Sequence, residues 1–187
     1  MQLEMEKDIE RVLFSAEEID GFVTKIAKNI ENDLRGVMEA GERAIFVGVL
    51  RGATTFMVDL CRKIDLPIQT EYLYASSYGN SAKSSGEVKF DAGALSNLSG
   101  AHVVIVEDII DTGLTIRKMA EEFRNCGAKS VRYCALVVKD KKRQIPVNLD
   151  YTGITCPNEF IVGYGLDYAE MYRNLPYIGI LKRSIYE

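Results

Sequence analysis

The chain has one histidine, His102, and four cysteines, Cys61, Cys126, Cys134 and Cys156, with no C-x-x-C pair and no zinc-like spacing around that histidine. A Cys/His metal centre is excluded, and the thiols read as reduced core residues of a cytoplasmic protein. Positive charge is not in excess: 23 Lys and Arg face 27 Asp and Glu, for a net charge of −4 and a sequence pI near 5.2. That excludes a partner nucleic acid held by bulk phosphate neutralisation. No apolar run approaches the roughly 18 residues of a membrane span, and the opening "MQLEMEKDIERV" is too charged for a signal peptide. A membrane is therefore not an expected partner. Neither G-x-x-x-x-G-K-[ST] nor G-x-G-x-x-G occurs, which removes the P-loop and dinucleotide folds. There is no internal repeat and no low-complexity tract. The glycosylation pattern at Asn97 has no use in a cytoplasmic chain.

The chain does have enough apolar material for a core. Of 187 residues 47% are hydrophobic, which suits a single domain over 1–187 that needs no disulfide. From Ser15 a Ser-x-x-Glu capping box (Ser15, Glu18) opens a stretch with apolar residues at Ile19, Phe22, Val23, Ile26 and Ile30, predicting a helix that ends near Gly41. "AIFVGVL" (44–50) predicts a buried strand, "ATTFMVDLCRKI" (53–64) a helix and "IQTEYLYA" (68–75) a strand. "SSYGNSAKSSGE" (76–87) has almost nothing to bury and reads as a lid or loop. "VVIVE" (103–107) predicts a strand, "TIRKMAEEFRNCG" (115–127) a helix closed by Gly127, and "VRYCALVVK" (131–139) a strand. Shorter strands are expected around "DYTGITC", "FIVG" and "YIGILK". Uniformly apolar strands alternating with helices specify an α/β fold, a mostly parallel sheet with helices on both faces.

The stretch "VVIVEDIIDTG" (103–113) gathers three acids at a strand end just before a helix. Ligands of open α/β sheets sit at the carboxyl ends of strands, and helix N-termini hold anions. Small residues in "TGLT" (112–115) would let backbone N–H groups and two hydroxyls wrap a phosphate, while Glu107 and Asp108 suit sugar hydroxyls or a hard cation such as Mg²⁺. A ligand carrying both ribose and phosphate accounts for the mixture. A D-T-G of aspartic-protease type would need a second copy and an all-β chain, and neither is found.

"VVIVEDIIDTGLT" resembles, at every position, the phosphoribosyl-diphosphate (PRPP) signature of the type I phosphoribosyltransferases. "VGVLRGATTFMVDLCR" (47–62), "ASSYGNSAKSSGEVK" (75–89), "LVVKDKK" (136–142) and "FIVGYGLDYAEMYRNLPYIGILK" (160–182) are similar, in order and spacing, to that family's hypoxanthine-guanine branch. The resemblance implies the family's fold: a central sheet, a small hood made by the N- and C-terminal segments, and a flexible lid loop. It also implies a purine-salvage reaction, transfer of ribose 5-phosphate from PRPP to N9 of hypoxanthine or guanine with release of pyrophosphate. Mg²⁺ is implied as cofactor, an oxocarbenium-like transition state as the chemistry, and a homodimer or homotetramer as the assembly.

By the same resemblance Glu107 and Asp108 bind the ribose hydroxyls, directly or through Mg²⁺, and Asp111, itself within the PRPP-binding stretch, sits near N7 of the purine as proton acceptor or hydrogen-bond partner. Thr112, Gly113, Leu114 and Thr115 hold the 5′-phosphate, although relatives with lysine where Leu114 stands make a contact absent here. Arg51-Gly52 matches the pyrophosphate loop, where a non-proline cis peptide is usual; many members have lysine at the position of Arg51. Ser77-Tyr78 matches the lid that keeps water from the sugar cation. Asp167 would hold a second Mg²⁺ and Arg173 the pyrophosphate. Phe160 would stack on the purine, Lys139 would donate to O6, and the backbone of Ile161 and Asp167 would read the ring edge. Without the resemblance, Phe160 reads as a core aromatic, Lys139 as a solvated charge at the head of "KDKKR", and His102 as a loop residue.

Two rival functions are consistent with the same signature. A PRPP-sensing regulator would carry a nucleic-acid-binding domain or a basic surface, and the length and pI count against both. A transferase specific for adenine or xanthine is the enzymatic rival, and the segments around Lys139 and Phe160 count against adenine.

Overall fold

A computed structural model describes residues 4–74, 76–77, 88–89, 95, 97–110, 113–139 and 149–187, with backbone only at 76–77, 88–89, 114 and 115. Its centre is a parallel sheet of β2 (Ala44–Leu50), β3 (Ile68–Tyr74), β6 (His102–Ile110), β7 (Ser130–Lys139) and β8 (Tyr151–Cys156), in the order β3-β2-β6-β7-β8. The interior strand β2 is buried along six of its seven residues, which explains why it reads as an unbroken apolar run. One face is covered by α1 (Ala16–Val37) and α2 (Thr54–Arg62), the other by α3 (Leu114–Asn125).

The helix starting at Ser15 forms because its local signals agree. Ser15 Oγ accepts from Glu18 N at 3.2 Å, and Ser15 N donates to Glu18 Oε2 at 2.8 Å. Ile19, Val23, Ile26, Ala27, Ile30 and Leu34 then fall on one buried stripe. The helix stops at Val37, four residues short of Gly41.

A second sheet ties the chain ends together: two of its strands fall in the expected stretches "FIVG" and "YIGILK", and only its N-terminal strand lacks a local signal. The first strand, β1 (Ile9–Phe14), pairs antiparallel with β10 (Ile178–Leu181), which pairs with β9 (Ile161–Val162), in the order β1-β10-β9. This is the expected hood. Its core contains Ile9, Val162, Tyr172, Leu175 and Leu181, and a single helical turn, α4 (Arg183–Tyr186), ends the chain. A short antiparallel pair, β4 (Ser76–Ser77) and β5 (Val88–Lys89), flanks the 78–87 stretch. The lid expectation, including Tyr78, lies outside the described residues.

Two expectations fail. Cys126 is exposed, at the C-cap of α3, whereas Cys134 and Cys156 are buried. His102 is no loop residue: it opens β6 and is 3% exposed. Its Nδ1 lies 2.8 Å from Ser130 Oγ and its Nε2 3.0 Å from Glu42 Oε2. Those partners explain the burial, because a buried polar ring must be hydrogen-bonded. Glu42 also accepts from Glu39 N at 2.9 Å and pairs with Lys129. The Glu39 N–H, then Lys129 and His102, pull its carboxyl down from 4.5 to about 2. A depressed carboxylate contributes stability that is present above its unfolded value and lost as pH falls through the folded one. Glu42→Gln should therefore lower the melting temperature most above about pH 4.5, and the gap to wild type should close toward pH 2. A pH-independent gap would show that the charge of Glu42 is not what stabilises this corner.

Candidate active site

The acids stand where the central strand runs out of core. Up to Val106 β6 is fully buried, and Glu107 and Asp108 are then half-buried. Burial first, and the Asp108 charge second, drive the Glu107 carboxyl well above its ordinary value. Asp108 is pushed up to about 6, again mainly by burial; the N–H groups of Ile109 and Asp108 and the charge of Arg173 oppose the rise, while Asp167 adds to it. Asp108 Oδ1 accepts from Ile109 N at 2.8 Å. Ile109 packs with Val104 and Val106, and Ile110 with Val103 and Ile105, so the alternation of faces slips across the acid pair. Two adjacent carboxylates held in partial burial with little positive charge to offset them favour a cation or hydroxyl donors.

The next described residue, Gly113, is the N-cap of α3 with φ +80°, a backbone region that favours glycine. It has no side chain to cap the helix, and among the described residues no side chain bonds the first-turn N–H groups, donors of the kind that hold an anion. Leu114 and Thr115 form that first turn; Asp111 and Thr112 lie outside the described residues.

Two other loops converge on Asp108. A Cβ on Gly52 would sit 1.7 Å from Asp108 Oδ2, and a Cβ on Gly165, where φ is +100°, would sit 2.2 Å from the Gly52 carbonyl oxygen. The 50–53 turn is thus pressed between the acid pair and the 163–173 loop, a stacking that only glycines permit. The expected non-proline cis peptide is present at Leu50–Arg51. The 163–173 loop is bound by its own arginine: Arg173 donates to Gly165 O at 2.7 Å and pairs with Asp167 at 2.8 Å, while Glu170 N donates to Asp167 Oδ2 at 3.0 Å. Tyr164, Ala169, Glu170 and Tyr172 all have φ between 50 and 72°, a concentration of left-handed backbone that costs about 1–3 kcal/mol each and persists only where surroundings impose it.

Gly165→Ala should be strongly destabilising. Left-handed strain and overlap with backbone that cannot yield add up to about 2–6 kcal/mol, or roughly 5–20 °C in melting temperature for a domain of this size. A calorimetric scan indistinguishable from wild type would contradict this close approach.

The side chain of Arg51 is turned toward Glu170, with Nη1 2.5 Å from Oε2, and Tyr74 also bonds it. Glu170 lies 3.6 Å from Arg173 as well. The sequence reading did not single out Glu170, although an acid midway between Asp167 and Arg173 was a usable signal. A cavity of about 360 Å³ opens beside Arg173, Tyr164 and Thr55, between Asp20 and Asp59.

On the base side, Lys139 ends β7 opposite Cys156 and one residue beyond Val138, the register partner of Ile110. Among the described residues its ammonium has no hydrogen-bond or ion-pair partner. Ile161 is buried in β9, the edge strand of the hood sheet. Phe160 is half-buried, its ring T-shaped to Tyr168 at 5.5 Å and stacked on Tyr186 at 4.8 Å.

The Phosphoribosyl transferase domain pattern matches residues 15–169. The chain belongs to the phosphoribosyl transferase family. It is 43% identical over 183 residues to the hypoxanthine-guanine phosphoribosyltransferase of Bacillus subtilis, covering 98% of this chain and 99% of that one. A crystal structure of a hypoxanthine phosphoribosyltransferase from Staphylococcus aureus matches with a TM-score of 0.91 at 34% identity, over 100% of this chain and 99% of that chain. The bifunctional protein TilS/HprT of Listeria monocytogenes is 42% identical over 182 residues; they are 97% of this chain, which spans only 27% of the length of that relative. In this chain the Glu107–Asp108 pair, the Arg51–Gly52 turn and the Asp167–Arg173 loop are brought together, and Phe160 joins them through Tyr168. No described hydrogen bond or ion pair links Lys139 to that group.

Proposed function

We propose that this phosphoribosyl transferase moves ribose 5-phosphate from PRPP to N9 of hypoxanthine or guanine, producing IMP or GMP and pyrophosphate. The observation that carries the reading is the under-compensated Glu107–Asp108 pair, with the Gly52 turn pressed against Asp108 and the glycine-capped start of α3 five residues further along the chain. Glu107 and Asp108 hold the ribose hydroxyls, and residues 112–115 hold the 5′-phosphate. Arg173 and the backbone of Arg51 and Gly52 receive the departing pyrophosphate, to which the Arg51 side chain turns once released from Glu170. Ser77 and Tyr78 close over the sugar and exclude water. Lys139, Phe160, Ile161 and the backbone of Asp167 hold the base, and Asp111 manages its N7 proton.

The donor set fits Mg²⁺. The described residues contain no group of three His, Cys, Asp or Glu able to enclose a metal, but Mg²⁺ is commonly bound by one or two carboxylates together with substrate oxygens. Glu107 and Asp108 would supply that pair. Asp167, whose oxygens already engage Arg173 and Glu170 N, would reach a second ion through its remaining lone pairs. Bound there, Mg²⁺ would neutralise the ribose-diphosphate oxygens. Residues 1–187 act as one domain in the cytoplasm, as a homodimer or homotetramer; no described helix is long and apolar enough to cross a membrane.

Pyrophosphate release from PRPP, measured with hypoxanthine, guanine, xanthine and adenine in turn and with and without Mg²⁺, tests the reading. Release is expected with hypoxanthine and guanine, and only with Mg²⁺. Release with adenine alone, or with no base, would overturn it.

A further inference from the structure

We infer that Tyr186, in the last turn of the chain, is a positioning residue for the purine: it fixes the plane of Phe160, on which the base stacks, and so sets affinity for the base without affecting PRPP. The inference rests on the proposed role of Phe160.

Phe160 belongs to neither cluster that flanks the main sheet; it packs in the hood with Tyr168, Ile185 and Tyr186. The Tyr186 ring lies parallel to it, 4.8 Å away at 25°, and Tyr168 meets it edge-on at 5.5 Å and 86°. Tyr168 and Tyr186 also touch, at 6.4 Å and 62°. A half-buried phenylalanine alone turns broadly about its terminal torsion. Here the tyrosine on its face and the tyrosine at right angles select one orientation. A base stacking on Phe160 would meet a ring already in place, and the ordering cost that binding would otherwise incur is met in the fold.

The backbone keeps these rings together. Leu181 N donates to Phe160 O at 2.9 Å, and β9 and β10 pair Ile161 with Ile180, so the segment carrying Phe160 is tied to the strand leading into α4. Lys182 N donates to Asp8 O at 2.9 Å and Ile185 N to Lys182 O at 3.0 Å, which anchors the terminal turn to the start of the chain. An unanchored tail would not hold an aromatic ring at stacking distance. Among the described residues, the ring contacts of Tyr186 are with Phe160 and Tyr168, and none is with Glu107, Asp108 or α3.

Steady-state kinetics of the full chain with PRPP and hypoxanthine would decide the matter, using Tyr186→Ala, Tyr186→Leu, Tyr186→Phe, Ile185→Ala and Phe160→Ala. Losing one aromatic pair and its pre-ordering is expected to raise KM for the base roughly three- to tenfold in Tyr186→Ala and Tyr186→Leu, with KM for PRPP unchanged. Tyr186→Phe keeps the stack and should behave as wild type. Ile185→Ala disturbs the same hood and should lower the melting temperature without moving KM for the base. The inference is overturned if Tyr186→Leu leaves KM for the base unchanged, lowers it, or shifts both KM values alike. If Phe160→Ala raises KM for the base while Tyr186→Leu does not, only Tyr186 is misassigned; if neither does, the proposed base site itself is wrong.

Discussion

Asp111→Asn should lower turnover roughly 10²–10⁴-fold, the usual contribution of a positioned proton acceptor. The residue directly follows Ile110, the last of β6, and directly precedes the 112–115 stretch; its proposed role is toward the purine N7 proton. In the proposed reaction the bond from the sugar C1′ to pyrophosphate breaks and the C1′–N9 bond forms on an oxocarbenium-like sugar, so the purine must give up one proton, which a carboxylate near N7 would accept. Asparagine keeps the size but puts an amide, which is no base, where the carboxylate stood. Binding of PRPP measured without base should change little, because Glu107, Asp108 and the 112–115 turn are untouched. Unchanged turnover would remove Asp111 from the mechanism, and an equal loss of PRPP affinity would make it a binding group only.

Lys139→Gln should lower activity with hypoxanthine and guanine and narrow their advantage over adenine. A 6-oxopurine presents an acceptor at position 6, adenine an amino donor. An ammonium has three donors and no acceptor, so Lys139 can bond the oxygen but meets the amino group donor to donor. A site that leaves such groups unpaired discriminates by roughly 10⁴-fold or more, whereas stacking on Phe160 is indifferent to the substituent. The ammonium has no described partner that would need to be broken first. Glutamine offers a donor and an acceptor on a shorter stem and satisfies either base poorly. Equal use of adenine by the wild type, or an unchanged preference in Lys139→Gln, would place the selecting group elsewhere.

What could be read from the chain alone was whatever repeats locally. The capping box and stripe of α1, the unbroken run of β2 and the C-terminal glycine of α3 each carry their signal within a few turns or strands, and the structure has them within a few residues. The acid pair was legible for a related reason: two carboxylates at the end of an apolar strand conflict with burial, and such a conflict in a sequence points to a ligand. Its order, Glu107, Asp108, then Gly113 before a helix, is a local pattern too.

Other features have no local period. Strand β1 buries only Ile9 fully, and its pairing with β10 joins residues from opposite ends of the chain. His102 is buried because Glu42 and Ser130 arrive to bond it, and Cys126 is exposed at the C-cap where α3 ends. Glu170 pairs with Arg51 across more than a hundred residues of chain, and Tyr186 reaches Phe160 only because the hood sheet folds the end of the chain back. By itself, the sequence determined the parallel α/β core and the kind of ligand its acidic turn suits, since hydrophobic period and charge are properties of neighbours. Only the tertiary structure decided that Gly52 must press against Asp108 and Gly165 against Gly52, and that the aromatic rings of the hood meet. Those are close approaches between distant segments, set by how the two sheets pack and not by any stretch of chain.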